Sequence, residues 1–172
     1  MLLECFTDQE LNKHNAQLIF TTHNTEILDL DWSPEGTILA SASADKTIKL
    51  WDTENAIPHW DDGIYSVSFR PVNRSATVLA AAGWNETIKL WQPNQDAGTL
   101  FKTLQGHQST ISDLAFTSNG EMLASASWDQ SIKLWQVDNG ILLTTLNGHK
   151  DGVTSVAFTS ADRPQGQMLA SG

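Results

Sequence analysis

The sequence predicts an all-β fold of repeated four-stranded antiparallel sheets, and three observations support this prediction. An eleven-residue pattern occurs three times and ends at Trp51, Trp91 and Trp135, which lie 40 and 44 residues apart. Within each copy apolar and polar residues alternate, as in TIKLW at 47–51, and a period of two is typical of strands. Turn-forming residues such as those at 33–36 separate these runs, and no segment shows a convincing helical period.

The four strands of a unit are expected in a fixed order, which unit three illustrates. A first strand with looser alternation at 111–116 is followed by the small-residue run LASAS at 123–127. The third strand ends at Trp135, and a fourth, ILLTTL at 141–146, follows it; TLFKTL at 99–104 takes the same place in unit two. Small side chains on the second strand suit the crowded region near an axis, where sheets converge.

Such a sheet has two apolar faces, and it cannot bury both of them alone. Stacking several sheets around one axis covers each face with a neighbouring sheet, and repeats of about 40–45 residues with four strands are typical of β-propellers. We therefore predict a partial propeller at 17–172, after an N-terminal segment at 1–16. Its three complete repeats and a partial fourth are expected at 23–52, 59–92, 106–136 and 148–172.

Composition and charge narrow the classes of function. The chain has 20 acidic and 10 basic residues, and a net charge of −10 repels phosphate backbones and anionic lipid. We therefore expect no nucleic-acid or membrane partner. Cys5 is the single cysteine, so a Cys–His zinc site lacks ligands, and we expect neither a metal nor a cofactor. Residues 1–15 lack the features of a signal peptide, so we expect the protein in the cytoplasm.

Several motifs in these repeats have a known counterpart. Glycine–histidine pairs occur at Gly106-His107 and Gly148-His149, aspartates occupy the turns at Asp45 and Asp129, and Trp51-Asp52 ends a TIKLW strand. On these residues the sequence resembles the WD-repeat β-propeller family over 17–172. The glutamines that follow Trp91 and Trp135 depart from the Trp-Asp pair that names the family.

The resemblance implies a buried hydrogen-bonded tetrad in each unit. It consists of a His before the first strand, a Ser or Thr on the second, an Asp in the turn and a Trp on the third. In units one and three these residues are His23, Ser41, Asp45, Trp51 and His107, Ser125, Asp129, Trp135. Ser43 and Ser127 are the alternatives for the hydroxyl position, and the family pattern favours Ser41 and Ser125.

Units two and four depart from the tetrad pattern. In unit two Trp60, Ala81 and Asn85 take the places of the His, Ser and Asp, so we expect Trp60 to replace hydrogen bonding with packing. Unit four keeps His149 and Ser171 only.

The combination of Ser, His and Asp also invites a hydrolase interpretation. The set is duplicated, however, each Asp lies four residues from its Ser across a turn, and no GxSxG elbow is present. We therefore predict a non-catalytic scaffold that binds other proteins or peptides. A carbohydrate-binding propeller is the alternative, because exposed indoles stack on sugar rings, and a Ser–His–Asp hydrolase is the least favoured hypothesis.

The resemblance places partner contacts on one rim of the propeller. The implied positions lie three and five residues after the His and directly before the turn Asp: Glu26, Leu28, Ala44, Gly63, Tyr65, Trp84, Thr110, Ser112, Trp128, Gly152 and Thr154. Trp84 and Trp128 are the strongest candidates, because a turn residue needs no indole for folding and Trp is a frequent interface anchor. The alternative for each indole is packing against its own blade. Trp32 aligns with Phe69 and Phe116, and we expect it in the core.

The chain supplies too few strands for a closed ring. One hypothesis is that it is a piece of a longer protein. The other is that several copies associate to close a shared ring.

Overall fold

The computed structural model describes residues 3–5, 18–20, 23–52, 56–61, 63–71, 77–93, 99–159 and 168–172. Every regular element in these ranges is a β-strand, which confirms the prediction of an all-β fold. None of the described segments forms a helix that could cross a membrane.

The strands follow the repeat along the chain. They are β1 Leu3–Cys5, β2 Leu18–Phe20, β3 Ile27–Trp32, β4 Ile38–Ser43, β5 Thr47–Asp52, β6 Ala56–Asp61, β7 Ile64–Phe69, β8 Leu79–Gly83, β9 Thr87–Gln92, β10 Thr99–Gln105, β11 Ile111–Phe116, β12 Met122–Ser127, β13 Ser131–Gln136, β14 Ile141–Asn147, β15 Val156–Phe158 and β16 Leu169–Ser171.

Consecutive strands pair in antiparallel fashion and form separate small sheets. Blade one is β3–β6, blade two is β7–β10, blade three is β11–β14, and β15 and β16 form the described part of blade four. Strand β2 lies at the start of the predicted propeller, and it pairs with β1, which lies in the segment that was predicted to precede the propeller.

The first strands of successive blades contact one another in the order β3, β7, β11 and β15, as expected for sheets arranged around one axis. The alanine-rich second strands lie between neighbouring blades, and Ala40, Ala80 and Ala124 are completely buried. Their small side chains allow two sheets to approach closely, while larger residues such as Ile88 and Leu123 fill the space between blades two and three.

Trp32 is not in the core, and this prediction was wrong. Its side chain is 44% exposed, whereas Phe69, at the same position in blade two, is only 4% exposed. Phe69 packs in a core cluster with residues of blades one and two, whereas Leu30, beside Trp32 on β3, is also exposed. The same position is therefore buried or exposed according to whether another blade covers it.

Carboxylates on the first strands connect neighbouring blades. Asp29 and Asp31 of blade one accept hydrogen bonds from the backbone N–H groups of Val67 at 2.9 Å and Phe69 at 2.7 Å. Asp113 of blade three accepts one at 2.8 Å from Val156 of blade four. Burial raises the pKa of Asp29 and of Asp31, and the hydrogen bonds from the backbone oppose this shift only in part.

Arg70 provides a second link between blades, at the end of β7. Its Nε donates to the carbonyl oxygen of Gly120 at 2.6 Å, and its guanidinium forms an ion pair with Asp138 at 2.9 Å. Arg70 is only 6% exposed, so blade two is linked to blade three through a buried arginine side chain.

Candidate functional site

The four tetrad residues of unit three meet in the structure. Nδ1 of His107 lies 2.7 Å from Oδ2 of Asp129, and Nε2 lies 2.7 Å from Oγ of Ser125. Nε1 of Trp135 donates to the same hydroxyl oxygen at 2.9 Å. Strands β12 and β13 and the turn between them position three of the residues, and the loop before β11 positions the histidine.

The tetrad of unit one has the same geometry. Nδ1 of His23 lies 2.9 Å from Oδ2 of Asp45, Nε2 lies 2.7 Å from Oγ of Ser41, and Nε1 of Trp51 donates to that hydroxyl at 2.8 Å. A fifth residue joins each network, since Thr47 here and Ser131 in unit three donate to the aspartate at 2.6 Å. The sequence analysis did not identify this fifth residue.

An indole N–H donates only, so the hydroxyl oxygen of Ser125 accepts from Trp135. The Ser125 proton has two acceptors within reach, Nε2 of His107 at 2.7 Å and the carbonyl oxygen of Lys133 at 3.4 Å. In the neutral tautomer with the ring proton on Nδ1, His107 donates to Asp129 and accepts from Ser125 at Nε2. This tautomer gives every polar side-chain atom of the tetrad a partner.

The pKa shifts agree with a neutral imidazole. Burial lowers the pKa of His107 below its ordinary value, although the hydrogen bond to Asp129 acts in the opposite direction. Burial alone would raise the pKa of Asp129. Hydrogen bonds from Ser131, from the backbone N–H of Gln108 and from His107 outweigh burial and lower it to about 2. The pair at neutral pH is therefore a neutral histidine beside a carboxylate.

This geometry favours a structural role for both tetrads. Ser41 and Ser125 are completely buried, and His23 and His107 are only 7% and 6% exposed. A nucleophilic serine must reach the substrate, and in these networks the hydroxyl oxygen already accepts a hydrogen bond from a tryptophan.

Blade two holds the same turn with fewer polar groups. Ala81 offers no hydroxyl, and Asn85 keeps only the local role of the aspartate, accepting from the backbone N–H and the hydroxyl of Thr87. Gly83 replaces the serine found at positions 43 and 127, and a Cβ there would lie 1.8 Å from the carbonyl oxygen of Gly63. The side chain of Trp60, predicted to pack in place of the histidine, lies outside the described residues.

In blade four His149 and Ser171 also meet. Nε2 of His149 lies 2.9 Å from Oγ of Ser171, and both residues are exposed. This pair therefore forms the same His–Ser hydrogen bond as the tetrads, but it is exposed rather than buried.

The rim positions owe their orientation to a β-bulge that recurs in blades one to three. The pairing of the first and second strands skips one residue in each blade, and the extra residues are Leu28, Tyr65 and Ser112. A bulge leaves the extra residue outside the ladder and turns its side chain in a new direction. All three are positions that the sequence analysis assigned to partner binding.

Trp84 and Trp128 are the first residues of three-residue hairpin loops. In each loop the third residue, Glu86 or Gln130, has a positive φ, of 60° and 71° respectively. This is typical of a type I turn followed by a residue in the left-handed region. The turn points the first side chain outward, and Trp84 and Trp128 are 57% and 51% exposed.

Tyr65 connects the two tryptophans. Its ring centroid lies 6.0 Å from that of Trp84 and 6.1 Å from that of Trp128, with interplanar angles of 36° and 52°. Both distances lie within the range of favourable aromatic contacts. We call Tyr65, Trp84 and Trp128 the aromatic ridge, since together they form one continuous surface across blades two and three.

Two predicted rim glycines lie directly against the indoles. A Cβ on Gly63 would lie 3.3 Å from the Cβ of Trp84, and one on Gly152 would lie 3.1 Å from the Cα of Trp128. Backbone bonds fix the turns, because the N–H groups of Trp84 and Trp128 donate to the carbonyl oxygens of Gly63 and Thr110 at 2.8 and 2.9 Å. These bonds fix the backbone from which each exposed indole projects, and a glycine leaves room beside each tryptophan.

The remaining candidates contribute less to a surface. The hydroxyl of Ser112 donates to the carbonyl oxygen of Val153 in blade four and so links two blades. The carbonyl oxygens of Glu26 and Thr110 accept from the turns beside them, and that of Glu26 accepts from Ala44 at 2.9 Å. Thr154 donates its hydroxyl to the carbonyl oxygen of Gly172.

Two hollows adjoin the aromatic ridge. The first hollow, between blades one and two, has a volume of about 120 Å³, and its lining includes Glu26, Leu28, Lys46, Gly63, Tyr65 and Trp84. The second hollow, between blades three and four, is more open, at about 500 Å³, and is lined by Ser109, Trp128, Asp151, Gly152 and Thr154. Within the described ranges no group of three His, Cys, Asp or Glu residues is placed to hold a metal ion.

The comparisons with known proteins agree with this geometry. The family model described as "WD domain, G-beta repeat" matches residues 15–52, 55–92, 98–136 and 140–172. Each matched segment begins at or before an outer strand of one sheet and continues into the next blade. The predicted repeats begin later because they start at the histidine position.

Two relatives are similar in sequence to part of this chain. The guanine nucleotide-binding protein subunit beta of Saccharomyces cerevisiae is 30% identical over 64% of this chain and 28% of its own length. Jouberin of Mus musculus is 26% identical over 57% of this chain and 10% of its own length. The chain therefore spans only a small part of the length of these relatives.

A solved structure shows a similar arrangement of strands. The structure described as RRP9 WD40 repeats matches with a TM-score of 0.71 and 25% sequence identity, over 83% of this chain and 44% of that chain. Since the matched repeats cover most of the sequence and the blades have the expected topology, the chain belongs to the WD-repeat family of β-propellers.

Proposed function

We propose that this protein is a non-catalytic scaffold that binds other proteins or peptides through the aromatic ridge. The observation that carries the proposal is the contact of Tyr65 with both Trp84 and Trp128, which joins two exposed indoles into one surface. WD-repeat propellers are typical of interaction scaffolds, and the tetrads, which are the catalytic alternative, are buried.

The ridge has the properties of an interface anchor. Tryptophan and tyrosine bury a large area when a partner covers them, and they lose little conformational entropy because their rings rotate about only two bonds. The contacts of Tyr65 with both indoles and the backbone bonds of the two turns reduce the further ordering that binding requires.

Affinity capture tests the ridge directly. The double variant Trp84→Ala/Trp128→Ala should lose the partners that the unchanged protein captures, because both anchors are removed. Trp32→Ala is the matched control, since it also removes an exposed tryptophan but lies on β3, away from the ridge. Captured proteins are identified by mass spectrometry, and thermal unfolding shows that each variant is folded.

Two results would contradict the proposal. One is unchanged capture by the folded double variant. The other is equal loss in Trp32→Ala, which would indicate that exposed indoles act non-specifically.

The buried tetrads make a further prediction: a serine-directed covalent probe should label neither Ser41 nor Ser125 in the folded protein.

Carbohydrate binding is a second candidate, and the exposure of the two indoles is the observation that favours it. The first hollow is smaller than the sites of about 300–1,000 Å³ that usually hold small molecules. A glycan array separates the two candidates: we expect no retention, and retention that disappears in Trp84→Ala would favour the sugar.

We propose the cytoplasm as the compartment, since a single cysteine provides no intrachain disulfide.

A further inference from the structure

We propose that the second hollow binds the cationic side chain of a lysine or arginine of the partner, between the indole of Trp128 and the carboxylate of Asp151. This inference rests on the proposed function and specifies the chemistry of one contact. It follows from the composition of the hollow, from the charge of the protein and from a comparison with the first hollow.

The lining of the second hollow offers acceptors and an aromatic face. Trp128 is half exposed, and an indole face attracts a cation more strongly than any other aromatic side chain. Asp151 is exposed and uses one oxygen, Oδ1, to accept from the backbone N–H of Gly152 at 2.8 Å. Within the part of the chain that the structure describes, no basic side chain forms an ion pair with Asp151, and none lines the hollow.

The hydroxyl groups of the hollow favour the same ligand. Thr154 lines the hollow and donates its proton to the carbonyl oxygen of Gly172, so its hydroxyl oxygen is left to act as an acceptor. An ammonium or guanidinium group carries donors only and matches such a lining. An anionic ligand would meet Asp151 and a protein of net charge −10, both of which repel it.

The first hollow provides an internal comparison. It also has an aromatic wall, formed by Tyr65 and Trp84, but Glu26 and Lys46 both line it. The lining of this hollow thus carries one negative and one positive side chain, whereas the lining of the second hollow carries a carboxylate and no basic side chain. A cation is therefore favoured more strongly at the junction of blades three and four.

The hollow also suits a side chain better than a free ion. A single carboxylate is too few ligands for a metal ion, which requires several oxygen donors at once. A long side chain from a partner reaches into an open hollow while its backbone stays above the rim. The partner is thus expected to present an exposed lysine or arginine next to the residues that cover the aromatic ridge.

Matched peptides test this inference. The probes are the blocked pentapeptides Gly-Gly-X-Gly-Gly, in which X is arginine, lysine or the neutral arginine analogue citrulline. We expect the arginine and lysine peptides to shift the indole N–H signal of Trp128 in NMR spectra at millimolar concentration, and the citrulline peptide to bind about tenfold more weakly. Added salt should weaken binding of the charged peptides.

Variants locate the contact. Trp128→Ala and Asp151→Asn should each weaken binding of the arginine peptide, Trp128→Phe should retain part of it, and Trp32→Ala, which removes an exposed indole outside the ridge, should leave it unchanged. Equal binding of citrulline and arginine, no binding of either cation, or equal loss in Trp32→Ala would overturn the inference. The proposed function has a separate test: loss of partner capture in the ridge variants, with wild-type capture in Asp151→Asn, would support the scaffold and overturn only the cation contact.

Discussion

Ser125 holds blade three together through one oxygen atom. That oxygen accepts from Trp135 on the third strand and is bonded to His107 before the first strand, so three parts of the blade depend on it. The tetrad residues could be predicted because the resemblance to the WD-repeat family implies them. Alternation alone could not separate Ser41 from Ser43, since residues two apart lie on the same face of a strand. In the structure Ser43 bonds instead to the carbonyl oxygen of Glu26 at 2.8 Å.

Removing this hydroxyl should destabilise the protein. Ser125→Ala leaves the indole N–H of Trp135 and Nε2 of His107 buried without a partner, and we expect a loss of about 2 kcal/mol in the free energy of unfolding. Urea titration at neutral pH measures it. Thr144→Ala, at an exposed site on β14, is the control and should cost less than about 1 kcal/mol. Equal costs for the two variants would show that the tetrad carries no special stability.

The histidine should make stability depend on pH. Because burial lowers the pKa of His107 in the folded protein, the unfolded chain takes up a proton first as the pH falls below about 6.5. The contribution of His107 to the free energy of unfolding should therefore decrease from pH 7.5 to pH 5.5, whereas the raised pKa values of Asp29 and Asp31 act in the opposite direction. Protonation of Asp129, whose pKa is lowered to about 2, should add a further decrease below about pH 4. NMR titration of the imidazole reads the first effect directly, and a pKa at or above 6.5 for His107 would contradict it.

At the scale of the strand, the sequence pattern located the elements but not their irregularities. The first strand of unit three was predicted at 111–116 with a looser alternation, and the structure places an extra residue in it, as it does in β3 of blade one. A bulge of this kind depends on the neighbouring strand, so one sequence pattern does not reveal it. The links from Asp29 and Asp31 to blade two were missed for a similar reason, since an aspartate that alternates with apolar residues also fits a solvent-exposed face.

The link through Asp31 should respond differently to two substitutions. Asp31→Ala removes the acceptor for the backbone N–H of Phe69, so exchange of that amide hydrogen should become faster. Asp31→Asn keeps a carbonyl acceptor but removes the negative charge. Because burial raises the pKa of Asp31, the charged form of this carboxyl lowers the stability of the folded protein at neutral pH. We expect Asp31→Asn to be at least as stable as the unchanged protein at pH 7. Hydrogen exchange followed by NMR measures both variants, and slow exchange of Phe69 in Asp31→Ala would show that the bond is dispensable.

At the scale of the whole molecule, the sequence pattern predicted what each blade contains but not which faces are covered. Trp32 and Phe69 occupy the same position in their strands. Phe69 is buried because a neighbouring blade covers it, whereas Trp32 is exposed. The aromatic ridge likewise depends on two blades, because Tyr65 of blade two contacts Trp128 of blade three. Contacts between repeats are set by their rotation around the axis, which no single repeat encodes.

The exposed face of β3 should affect behaviour in solution. Leu30 and Trp32 are 42% and 44% exposed on adjacent alternate positions, and such a patch favours association in water. A polypeptide of these 172 residues should therefore show a mass in light scattering that rises with concentration. Leu30→Gln/Trp32→Gln should reduce this rise, whereas Trp84→Gln should not. A mass that is independent of concentration in the unchanged polypeptide would contradict the prediction.

The extra residue in each first strand has a consequence for how binding preferences change. Tyr65 occupies a place that strand pairing does not constrain, and the same place holds Leu28 in blade one and Ser112 in blade three. Three chemically unlike side chains are thus accommodated by the same backbone. Substitutions at the places of Leu28 and Tyr65 can therefore change the binding surface of one blade while the strand pairing stays the same, whereas Ser112 also links blade three to blade four.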